Sequence, residues 1–127
     1  MKKKSLSLPS YAIILALANL IMLFFTLNLA FGEEHILSEQ EIKATLSGHE
    51  IKGIWSGKNY TQTFNEDGST IYKQENESSW SGMWSIKEGK FCSNFGGSEN
   101  CYQIIRKGNS LFWIYTNGEH RAFTVVK

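Results

Sequence analysis

The chain lacks the common signatures of catalysis. It holds no G-x-S-x-G nucleophile elbow and no Gly-rich phosphate loop opening a helix. His49-Glu50 does not grow into H-E-x-x-H, because Gly53 stands where the second histidine would fall. Cysteine is scarce, with Cys92 and Cys101 the only two, and their spacing is not the C-x-x-C of redox centres. Basic clusters are missing too. Beyond residue 32 the Lys and Arg residues stand singly apart from Arg106-Lys107, so no nucleic-acid footprint is visible. Internal repeats and low-complexity segments are absent as well.

Other chemistry is present only in fragments. His49-Glu50 and Glu119-His120 invite a metal or acid–base site. If the first and last strands of a barrel pair antiparallel, however, His49 faces the chain end near Val126. His120 then lies about six residues away, roughly 20 Å at 3.3 Å per residue. Both histidines are therefore read as surface residues, with no metal and no cofactor expected. Asp67, Glu75 and Glu77 fall in turns or on polar parities. A glycosidase pair needs carboxyls about 5–9.5 Å apart across a cleft, and no such pair is indicated. The expectation is a non-enzyme.

The first 32 residues have their own character. Lys2, Lys3 and Lys4 precede an almost wholly apolar run from Tyr11 to Phe31, and Ala30-Phe31-Gly32 places small residues at −3 and −1. We read 1–32 as a signal peptide cleaved after Gly32, and 33–127 as a single β-rich domain. The run is also long enough for a spanning helix of about 20 residues, so an uncleaved membrane anchor is the alternative. Either way the basic flank before it and Glu33-Glu34 after it direct the domain outward. The expected location is periplasmic or secreted, or else the inner membrane with the domain facing the periplasm. No cysteine lies near the cleavage point, which argues against a lipid anchor. The expected domain carries ten basic and twelve acidic side chains, a net charge of −2 with histidine neutral. In an exported chain two cysteines imply one disulfide, Cys92–Cys101.

Within the domain, Ser38-Glu-Gln-Glu41 matches a capping box, and Ile42 and Leu46 share one face at i, i+4. Leu37 is placed to staple onto Ile42, and Gly48 to end the helix in the left-handed region. A short helix over 39–47 follows. From His49 onward turn signals recur every eight to twelve residues. Strands are expected at about 50–56, 59–65, 70–75, 80–86, 90–94, 101–106, 110–116 and 120–126. The clearest is Trp80-Ser-Gly-Met-Trp-Ser-Ile86, where Trp80, Gly82, Trp84 and Ile86 share one parity. Short links make sequence neighbours antiparallel neighbours. The fold class is thus α+β and mainly β: one short helix, then an antiparallel meander of about eight strands closing into a small barrel or half-barrel. Leu111, Trp113 and Tyr115 face one way on the seventh strand, with Phe112 and Ile114 the other way, and the helix is the expected cover for the second side.

The leader, the helix ending in Gly48, Gly53-Ile-Trp55, Asp67-Gly68, Gly82-Met-Trp84, Phe91-Cys92 and Cys101-Tyr102 together resemble a group of small secreted proteobacterial proteins of unknown function. The similarity runs from about Leu37 to Val126. It implies a periplasmic β-domain with a conventional disulfide and carries no catalytic residues.

The aromatics are the remaining clue. Trp55 and Trp84 are expected in the core, whereas Trp80, Trp113 and Tyr115 are the candidate contacts to a ligand or partner. The function expected is an exported, monomeric, non-enzymatic binding module of the cell envelope, taking an unknown protein or a small apolar or sugar ligand. Two alternatives are an interaction protein inhibiting a secreted hydrolase, and an envelope enzyme acting on sugars or peptides. A membrane would be touched only through an uncleaved N-terminal segment.

Overall fold

Alternation of apolar and polar side chains becomes strand from His49 onward. The computed structural model describes residues 33–127, so the expected signal peptide or anchor over 1–32 lies outside the described residues. Its elements are β1 (Glu34–Ile36), α1 (Glu39–Leu46), β2 (His49–Trp55), β3 (Lys58–Phe64), β4 (Ser69–Gln74), β5 (Trp80–Lys87), β6 (Lys90–Asn94), β7 (Asn100–Lys107), β8 (Ser110–Ile114) and β9 (His120–Val125). No helix among the described residues is long and apolar enough to cross a membrane.

Strands β2 to β9 pair in sequence order, and β9 returns to β2, closing an eight-stranded antiparallel barrel. Closure removes the unpaired edges that an open meander would expose. Ser56-Gly57 and Glu88-Gly89 make two of the two-residue hairpin turns, with positive φ at both positions (48° and 76°; 52° and 74°). Such turns match the twist of the flanking strands.

Strand β1 was not anticipated from the sequence, being only three residues long. It lies beside the C-terminal half of β7, with Ile36 opposite Ile105, while β6 occupies the N-terminal half of the same edge through Phe91–Tyr102 to Ser93–Asn100. The barrel wall thus parts between β6 and β7 at one end, and β1 fills the gap.

The same end is closed by α1. Ser38 caps the helix as expected: its hydroxyl accepts from the Glu41 amide at 3.2 Å, and the Ser38 amide donates to the Glu41 carboxylate at 3.1 Å. Leu37, Ile42 and Leu46 are fully buried, in one cluster with Ile51, Phe64, Phe91 and Ile104. Gly48 leaves the helix with φ +76°, and its amide bonds to the Phe64 carbonyl at 2.7 Å. That bond ties the helix to the start of the β2–β3 hairpin. One expectation is corrected here. The helix packs against β2, β5 and β6 at the barrel's end rather than over the outer face of β8. Its apolar stripe is two turns long and its tether is short, so it reaches the aperture and goes no further. Phe112 and Ile114 accordingly stay half-buried on the outside.

Cys92 and Cys101 sit directly opposite each other on β6 and β7 and form the expected disulfide, with Cα atoms 4.0 Å apart. The bond closes the base of the loop that carries Phe95.

Candidate functional site

Inward-facing side chains alternate along each strand, so the two ends of the barrel hold different sets. The helix-capped end takes the aliphatics. The opposite end receives Trp55, Tyr60, Tyr72, Trp80, Phe91, Tyr102 and Trp113, one from each of seven strands, with Tyr115 added just past β8 and Phe95 from the β6–β7 loop. These rings do not fill their end. They enclose a cup of about 350 Å³, open to solvent at its mouth and finished with four neutral polar side chains, Gln62, Gln74, Ser93 and Asn100.

The floor is formed by Phe91 and Trp113, with ring centroids 5.0 Å apart, and by Tyr60. Trp113 is only 5% exposed and stacks from below on Phe123, and its indole N–H donates to the Tyr60 hydroxyl at 3.2 Å. One wall is a row of near-parallel rings. Tyr60 and Tyr72 lie 5.2 Å apart at 26°, and Tyr72 and Trp80 lie 5.7 Å apart at 14°. The far wall is Trp55, Tyr115 and Tyr102, with centroid separations of 5.4 and 4.8 Å.

Two glycines create the space. Gly53 faces inward opposite Tyr60, whose ring lies where a Cβ would stand. Gly82 faces inward on β5, where the Asn94 carbonyl and the Phe95 ring close over it. A side chain at either point would drive a ring into the cup.

Beyond Gly53–Phe123 the β2–β9 ladder stops, and side chains hold the seam instead. The Arg121 guanidinium lies 3.7 Å from the Trp55 ring centroid and 4.9 Å from that of Tyr115. Both of its outward bonds go to Glu119, at 3.0 and 3.1 Å. Arg121 is a clamp on the rim, its charge already matched.

The cup is electrically neutral. Burial raises the pKa of Tyr60, an effect opposed by the Trp113 hydrogen bond and by Arg121. Burial likewise raises Tyr72 and Tyr102, and raises Tyr115 furthest, reinforced by the neighbouring Tyr102 and Tyr60 hydroxyls. All four phenols stay protonated. Gln62 is oriented by a relay in which its amide nitrogen donates to Thr70 Oγ1 at 3.0 Å and that hydroxyl donates to the Thr63 carbonyl at 2.7 Å.

The structure brings Trp80, Trp113 and Tyr115, the three candidate contacts, into this one cup: Trp80 on the rim at 52% exposure, Trp113 in the floor, Tyr115 in the wall. Trp55, expected in the core, also lines it. Trp84 does not. It packs beneath, against Phe64 and Phe91, and its N–H donates to the Asn65 carbonyl at 2.9 Å. Gln62 and Gln74 were overlooked in the sequence, although each carries a readable sign: a polar amide on the same parity as inward aromatics in Tyr60-Thr-Gln62-Thr-Phe64 and Tyr72-Lys-Gln74. His49 and His120 remain apart, His49 level with the chain end beside β9 and His120 paired with Ile114. Cys92, Glu99 and Cys101 lie close enough to hold a metal, but both thiols are spent in the disulfide.

A larger depression, about 1190 Å³, runs along β9, β2, β3 and β4 and shares Tyr60 and Gln74 with the cup. It is an open trough. Within it Arg121 is paired with Glu119, and Asn59 donates to Glu75 at 3.2 Å. The cup, which gathers nine rings and four neutral polar side chains around one cavity, is taken as the site. Comparison with protein-family models, curated proteins and solved structures finds no match to this chain.

Proposed function

We propose that this chain is an exported, non-enzymatic binding module that holds a small ring-bearing ligand in the open end of its barrel. One observation carries this: nine aromatic side chains converge on a cavity and leave it unfilled. Filling it with those same side chains would bury more apolar surface, at about 25 cal/mol per Å². A fold that instead keeps a hollow beside Gly53 and Gly82 has the form of a receptor site: concave, mostly apolar, with a few placed polar groups.

The non-enzymatic part of the proposal is supported by the lining, which presents amides, hydroxyls and rings but no carboxylate, imidazole or thiol. The disulfide is compatible with an oxidising compartment, and it supports export together with the apolar leader. The proposed monomer rests on barrel closure, which leaves no long unpaired strand edge among the described residues.

The test is a thermal-shift and fluorescence screen of ring compounds, sugars and aromatics alike. Trp55, Trp80 and Trp113 line the cup, so an occupant alters their emission. A ligand present at 100 times its Kd should stabilise the fold by about 2.7 kcal/mol. Trp80→Ala, at the exposed rim, should weaken binding and leave the fold intact. The proposal fails if no ring compound of either kind changes emission or melting.

A further inference from the structure

Resting on that reading of the cup, we propose a narrower class of occupant: an uncharged, planar nitrogen heterocycle whose edge carries a hydrogen-bond donor beside an acceptor, as in a lactam or a nucleobase. The pattern that points there is the β3–β4 wall. In its register Tyr60 stands opposite Gln74, and Gln62 opposite Tyr72. Phenol rings and primary amides therefore alternate in both directions, a checkerboard in which each phenol has an amide beside it.

Each side of the checkerboard matches one property of such a ligand. The near-parallel rings of Tyr60, Tyr72 and Trp80 stack on one another, and the half-exposed Trp80 at the end of the row offers a face on which a flat ring can extend the stack. A primary amide offers a donor and an acceptor side by side, the complement of a lactam edge. At Gln62 the relay through Thr70 fixes which way the amide points and occupies one of its two N–H groups. The carbonyl oxygen and the other N–H have no partner among the described residues. Gln62 and Gln74 are both more than nine-tenths buried.

Other occupants fit less well. A hydrocarbon would satisfy the rings and leave the free carbonyl and N–H of Gln62 without partners. A hexose carries hydroxyls around its whole perimeter, and the four neutral polar side chains of the lining are too few to partner those held inside the cup. A charged ligand would find no counter-charge, since no lining residue is ionised and Arg121 is already matched by Glu119. The volume of about 350 Å³ lies at the small end of ligand sites and admits one ring system.

The experiment compares three probes on the purified full chain by calorimetry and ligand-observed NMR. They are quinazolin-4-one (flat, with N–H beside C=O), naphthalene (the same outline without the polar edge) and methyl β-glucoside. The expected result is that quinazolinone binds at least about tenfold more tightly than naphthalene, and the glucoside not at all. Gln62→Leu and Gln74→Leu should each reduce that preference about tenfold while naphthalene binding holds or improves. The wild-type preference is decisive by itself should either variant fail to fold. Naphthalene binding as tightly as quinazolinone, or the glucoside binding in its place, would overturn the heterocycle class and leave the cup standing. Binding of none of the three would instead count against the cup itself.

Discussion

Gly82→Ala is the substitution on which the cup's construction can be checked most directly. An added Cβ would stand 2.7 Å from Phe95 Cδ1 and nearer still to the Asn94 carbonyl oxygen, whereas ordinary contact begins at 3.4 Å. Phe95 would have to retreat by about 0.7 Å, and the carbonyl by more. A ring on a loop can yield, but the carbonyl belongs to backbone held in register, because Asn94 is the partner of Met83 at the end of the β5–β6 ladder. Overpacking of this kind costs about 1–3 kcal/mol, and disturbing the last ladder hydrogen bond adds about 1 kcal/mol. For a domain of 60–100 residues each kcal/mol lowers Tm by about 4–8 °C, so a fall of roughly 10–30 °C is expected. Differential scanning calorimetry measures it. Gly97→Ala is the control: it lies in the same loop with open space around it and no positive φ, so its Tm should hold or rise slightly. Equal melting of the two variants would refute the close approach at Gly82, and with it the account of how Phe95 is seated on the rim.

Further outcomes follow from the closed end and from the charges. Leu46→Ala empties a fully buried position under α1 and should cost about 2–5 kcal/mol, read from the urea midpoint, a large part of the roughly 5–10 kcal/mol available to a domain of this size. Replacing both Cys92 and Cys101 by serine should lower stability by roughly 2.7 kcal/mol in the chain-entropy picture, since the bond spans nine positions. In thermal melts against pH, Glu41 should contribute a small acid limb, screened by solvent because its pair with His35 is exposed. The His35 hydrogen bond first, and then the Ser38 amide, hold its carboxyl down to about 2 from 4.5. A folded-state pKa below the unfolded one contributes stability that is complete above about 4.5 and fades as pH falls towards about 2. Glu41→Gln should flatten Tm across that interval, though not entirely, because Asp67 (held low by Ser69) and Glu119 (held low by Arg121) titrate in the same sense.

Local features of this protein were settled within short windows of sequence. The capping box at Ser38, the parity of Trp80, Gly82, Trp84 and Ile86, and turns such as Glu88-Gly89 depend on residues a few positions apart. Their physics is that of one hydrogen bond, one face or one φ angle, and each bound of β2 to β9 falls within two residues of its expected place. The disulfide partner followed from there being only two cysteines.

What tertiary structure alone decided is where the inside is full and where it is hollow. Parity assigns Trp84 and Trp80 to the same inward face, yet Trp84 packs under the floor and Trp80 stands half-exposed at the mouth. Their positions differ because β5 crosses the whole barrel, from the open end to the helix-capped one, and side-chain alternation carries no information about depth. The cup likewise draws its rings from strands up to sixty residues apart, and its volume is a difference between the space the barrel encloses and the side chains sent into it. Such a difference depends on every register at once, including a three-residue strand at Glu34–Ile36 that shows no alternation to read, so it is fixed only when the wall closes.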